Sequence, residues 1–111
     1  MHLSRILVAI VAVGSGLAIG VAFAAGDSAA GKAVYDKSCR ACHGPEGEGN
    51  DKIAKMVGVP IPPLGSKEVQ GLSDKELQTV LTKGKGKMKG VSLTDGQASD
   101  VVAHIRSLGK K

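Results

Sequence analysis

Read for the spacing of its apolar positions, the chain divides into an uncharged start, three stretches with helical periodicity and one long interruption rich in glycine and proline. Leu77, Val80 and Leu81 fall at the i, i+3, i+4 spacing of one helix face. Ahead of them Ser73 and Glu76 form a capping box, Leu72 and Leu77 stand at the spacing of a hydrophobic staple, and Gly84 is a stop signal. The pattern returns with Ala98, Val101, Val102, Ile105 and Leu108, entered through a second capping box at Thr94 and Gln97 and closed by Gly109. An earlier helix is predicted over 28–38, with Asp27 or Ser28 as its N-cap. Between the first and second helices the segment from Gly44 to Gly71 is predicted as loop. A connection of that length is unusual in a compact domain unless it wraps something functional. The fold class expected is all-α, with three main helices and a long wrapping loop.

The start of the chain follows a different logic. Arg5 is its only fixed charge, no charged residue occurs from Ile6 to Gly26, and the run closes on Ala22-Phe23-Ala24-Ala25. A basic start, an apolar run and a small-residue end describe a secretory signal peptide. Cleavage is expected after Ala24 or Ala25, leaving residues 26–111 as the working domain. An uncleaved membrane anchor is the alternative, since a span needs roughly 20 apolar residues. Gly14, Ser15, Gly16 and Gly20 dilute the run and speak against it. Export implies the periplasm, with no membrane association after cleavage.

Composition then sharpens the picture. With the leader gone, Tyr35 is the one aromatic side chain left in 86 residues, a thin supply of core. Domains this small are marginal and often lean on a cofactor, metal or disulfide. The formal charge of +5 becomes +4 without Arg5. Such a balance serves solubility. It does not describe a nucleic-acid binder, because no aromatic residues interleave with the basic ones and no basic element is discernible.

The chemistry is carried by Cys39-Arg40-Ala41-Cys42-His43. This spacing reads as c-type haem attachment. Two cysteines one helical turn apart present both sulfurs to the vinyl groups of one haem, and the adjacent imidazole reaches the iron. Three other readings compete. A thioredoxin-like motif expects a βαβ pattern, which is not visible. A zinc site needs four ligands, and His104 alone would join Cys39, Cys42 and His43. A simple disulfide suits an oxidising compartment.

Gly31, Tyr35, Cys39, Cys42, His43 and Gly44, the segment from Lys83 to Met88 and the helix from Val101 to Leu108 together resemble the small bacterial monohaem cytochromes c with the mitochondrial-type fold. The resemblance covers nearly all of 26–111. It implies a periplasmic one-electron carrier, not an enzyme, with one covalent haem c, its iron held by His43 and Met88. A His/Met pair raises the haem potential. Met56 is the rival thioether, in an apolar stretch where methionine more often fills gaps. The resemblance further implies a proline carbonyl accepting a hydrogen bond from the proximal His, with Pro60, Pro62 and Pro63 as candidates. It places His104 at the crossing of the first and last helices, where the family carries Tyr or Trp. Lys89 stands where the family has Pro. Lys83, Lys85, Lys87 and Lys89 surround the proposed ligand, either as a solvated loop or as a positive ring that steers acidic redox partners. Two other roles stay open: an open-iron enzyme or gas sensor, if Met88 does not bind, and a permanent subunit of a larger oxidoreductase.

Overall fold

The computed structural model describes residues 26–110. The stretch read as a signal peptide, with its expected cleavage after Ala24 or Ala25, lies outside the described residues. Helix α1 spans Ser28–Ser38, and α2 is a single turn over Arg40–His43. Then come α3 (Asp51–Val57) and α4 (Lys67–Gln70). Helix α5 (Asp74–Lys83) leads into a hairpin of β1 (Gly84–Lys85) and β2 (Met88–Lys89), and α6 (Asp95–Leu108) closes the chain. Among the described residues no helix is long and apolar enough to cross a membrane.

The three predicted helices form where their caps stand. Asp27 caps α1 by accepting from the amides of Ala29 and Ala30, and both capping boxes are complete. The heart of the fold is the crossing of α1 and α6. A Cβ at Gly31 would lie 1.8 Å from the Asp100 carbonyl oxygen, so only glycine lets the two backbones come this close. Beside that contact Tyr35 and Val101 are fully buried. The Tyr35 and His104 rings pack with centroids 4.9 Å apart at 58°. His104 therefore sits at the helix crossing, as the resemblance implies. The Asp27 amide donates to Asp100 Oδ1 at 2.8 Å, tying the first turn of α1 to α6.

Helix α5 packs on the other side of α6 through Leu77 and Leu81, which join Val101, Val102 and Ile105 in one cluster. Val80, expected on the same buried face, is only half-buried, because the 77/81 pair points most directly at α6. Arg106 fastens this second contact. Its guanidinium donates to the carbonyls of Gln70 (2.8 Å) and Leu72 (2.6 Å) and to Asp74 Oδ1. Gln70 in turn donates to the carbonyls of Leu64 and Ile105, both at 2.9 Å.

Two local expectations change. The segment from Gly44 to Gly71 is not all loop: Asn50 caps α3, Ser66 caps α4, and glycines end both. These helices are seven and four residues long, too short to show a period or to stand without tertiary support. The loop around Met88 contains a hairpin that pairs Gly84 with Lys89 and Lys85 with Met88. Gly84 (φ 83°) stops α5 and Gly86 (φ 58°) opens the turn, conformations that favour glycine. Lys89, standing where the family has proline, supplies a residue that can pair in a ladder.

Candidate haem site

Cys39, Cys42 and His43 lie on one turn because α1 ends at Ser38 and Cys39 serves as the N-cap of α2. The Cys39 amide is held by the Tyr35 carbonyl at 2.8 Å, which fixes where α2 leaves α1. The two sulfurs meet different surroundings. Cys39 is 8% exposed, whereas Cys42 is open to solvent. Burial, and secondarily the neighbouring Cys42, push the Cys39 thiol above its ordinary range. The cysteines are not joined in a disulfide.

Burial also lowers the pKa of His43, favouring the neutral imidazole, the form that can ligate a metal. Its Nδ1 is buried and has no hydrogen-bond partner. None of Pro60, Pro62 and Pro63 is therefore its acceptor here, in contrast to the expectation from the resemblance. A buried, unsatisfied ring nitrogen is costly in a finished core.

The apolar surroundings are also incomplete. Val34, Leu64, Val69, Leu72, Met88 and Leu93 pack against the central cluster while staying only partly buried. An additional apolar body seated on such side chains would recover roughly 25 cal/mol for each Å² removed from water. Thiols one turn apart, a neutral imidazole and half-covered apolar side chains fit a covalently held haem. Among the described residues no group of three or more His, Cys, Asp and Glu side chains is gathered to hold a metal ion. The zinc alternative has no geometry behind it.

The two candidate thioethers are placed very differently. Met88 is on β2 and packs against the core cluster. Met56, on α3, is 75% exposed. Lys83, Lys85, Lys87 and Lys89 are all exposed. The ion pairs of the described residues, Lys32–Asp36 and Arg106–Asp74, lie elsewhere, so the four ammonium groups are uncommitted.

Two side-chain contacts brace α2, and the second brings in Asn50, a residue not singled out from sequence. The Tyr35 hydroxyl donates to the carbonyl of Gly44, just after the motif. The Asn50 side-chain nitrogen donates to the Ala41 carbonyl at 3.2 Å, inside the motif. The preference of asparagine for N-caps is the one sequence signal that could have marked Asn50.

Comparison with known proteins identifies the family. Residues 26–105 match the family model described as cytochrome c oxidase, cbb3-type, subunit III. A stretch of 35 residues is 49% identical to cytochrome c-554(547) of Halothiobacillus neapolitanus, covering 32% of this chain and 38% of that relative. The matched model spans the whole of α1 to α5 and most of α6, and the chain belongs to the cytochrome c family, whose cofactor is a covalently bound, iron-containing haem c and whose work is haem-based electron transfer.

Proposed function

We propose that the protein is an exported, periplasmic one-electron carrier whose haem is bound through Cys39 and Cys42, with His43 and Met88 as axial ligands. The observation that carries this reading is a half-buried imidazole, held toward its neutral form, on the same turn as both thiols. The haem supplies the one-electron couple of its iron. Cys39 anchors one edge inside the protein and Cys42 the other at the surface, consistent with their unequal burial. Met88 offers a soft, neutral thioether from a hairpin braced on the core, whereas Met56 points to water. With both axial positions filled there is no open place for a substrate, so the role is a carrier's and not an enzyme's. Lys83, Lys85, Lys87 and Lys89 form a positive rim that steers acidic surfaces of redox partners into brief encounters, an effect on association rate that weakens with salt. The leader directs export and is removed after Ala24 or Ala25.

Expression in cells that mature c-type cytochromes tests the whole set. Wild type is expected to carry one haem through a denaturing gel, and C39S/C42S none. The ferric wild type and M56A should show the methionine–iron charge-transfer band, and M88A should lack it. A haem-stained C39S/C42S band, or a band surviving in M88A, refutes the corresponding assignment.

The match to an oxidase subunit model favours a second reading, a permanent place in a larger complex. Size exclusion of a native extract that includes detergent-solubilised membranes separates the two. A carrier elutes at the mass of the mature chain, a subunit with its complex.

A further inference from the structure

A four-residue helix cannot hold itself. The last carbonyls of any helix lack partners within it, and in α2 that applies to the entire turn. All four are satisfied from the segment that follows. The Arg40 carbonyl accepts from the Gly44 amide (2.8 Å), Cys42 from the Asn50 amide (3.1 Å) and His43 from the Gly49 amide (2.7 Å). The fourth, at Ala41, accepts from the Asn50 side chain at 3.2 Å. Asn50 thus supplies two of the four partners, one of them with its side chain.

The other end of the same amide is engaged as well. Asn50 Oδ1 accepts from the amides of Lys52 (3.0 Å) and Ile53 (3.2 Å), capping α3. These contacts fix which end is oxygen and which is nitrogen, because the reversed amide would set donor against donor and acceptor against acceptor. Turning the side chain to break one set breaks the other. The orientation of the turn bearing His43 is therefore coupled to the start of α3.

We infer that Asn50 is a positioning residue for the axial imidazole: its side-chain amide locks the Cys39–His43 turn and so sets the angle at which the His43 ring meets the haem. This rests on the reading of His43 as an iron ligand. The alternative is that Asn50 only caps α3. Serine and aspartate cap helices as well as asparagine does, but an aspartate carboxylate has no proton to donate to the Ala41 carbonyl, and serine offers only a hydroxyl on a side chain one bond shorter than the amide nitrogen. N50S and N50D therefore separate the two roles.

The test uses the haem-loaded full chain. In the oxidised protein the hyperfine-shifted haem-methyl resonances report the orientation of the axial imidazole. In both N50S and N50D these resonances are expected to move from their wild-type positions, while far-UV circular dichroism retains the wild-type helix content. Asn50 is the single asparagine of the sequence, so protein labelled selectively with ¹⁵N-asparagine shows one side-chain amide, free of the glutamine signals. In the wild type one of its two amide protons should exchange with solvent several-fold more slowly than in a short peptide. Haem-methyl spectra of N50S and N50D that superimpose on the wild type overturn the inference. So does free exchange of the wild-type side chain, which decides the matter even if neither variant accumulates. A wild type that emerges without covalent haem overturns the attachment reading instead.

Discussion

At the scale of single residues, Tyr35 connects packing with the site most directly. It is fully buried against α6, and its hydroxyl holds the carbonyl immediately after the Cys-x-x-Cys-His motif. Burial is the main reason its pKa rises to about 12, with Cys39, Glu48 and Asp36 adding to the rise and the Gly47 amide opposing it. The thioether proposed at Cys39 would carry no charge, so with haem attached there the Cys39 contribution would disappear while burial remains. An unfolded tyrosine ionises near pH 10. Between pH 10 and about 12 the unfolded chain loses this proton first, so Tyr35 contributes stability that is whole below pH 10 and lost as pH climbs through that window. The chain contains one tyrosine, so ¹³Cζ-labelled protein gives a single signal, expected to titrate far above pH 10. A midpoint near the ordinary value would contradict the buried placement. In Y35F the alkaline loss of stability should be smaller, and at neutral pH the missing hydrogen bond should cost about 1 kcal/mol.

At the scale of elements, the α1–α6 crossing and the clamp of Arg106 and Gln70 decide how helices legible in the sequence are arranged. The crossing depends on backbone meeting backbone, which no rotamer change can relieve. G31A is therefore expected to force α1 and α6 apart and to destabilise by about 1–3 kcal/mol or more. Gly96, near the start of α6, makes the control. A Cβ there would come no nearer than 3.9 Å to the Thr94 hydroxyl, and its φ is not in the left-handed region. G96A should stabilise by about 0.4–1 kcal/mol, mostly by restricting the unfolded chain. Equilibrium denaturation of the two variants checks both signs, and equal effects would show that close approach is not what Gly31 provides. Helices α1, α5 and α6 could be foreseen because each has its own cap, and α5 and α6 an apolar stripe as well. Helices α3 and α4 could not, since a helix of one or two turns shows no period. Nor could the hairpin, where lysine alternates with glycine and no apolar face marks a strand.

For the whole molecule, the deciding quantity is how little apolar material the described residues bury. The core is a few aliphatic residues on α5 and α6 with Tyr35 and His104, and several apolar neighbours remain half-covered. A chain of this size with so small a core is marginal. A haem bound only to the folded state adds its binding energy to stability. The C39S/C42S chain, made without haem, is expected to melt less cooperatively and at a distinctly lower temperature than the holoprotein by circular dichroism. An unchanged melting curve would mean that the polypeptide needs no cofactor to complete its interior.

The linear order of residues determined the attachment motif, the three capped helices and the choice of an all-α haem protein, because each rests on contacts between near neighbours or on the chemistry of adjacent groups. Only the tertiary structure decided that Met88 is braced on the core while Met56 faces water, that His104 fills the crossing beside Tyr35, and that Asn50 closes the turn bearing His43. Burial and long-range hydrogen bonds join residues that are distant along the chain, and local pattern carries no record of which distant residues meet.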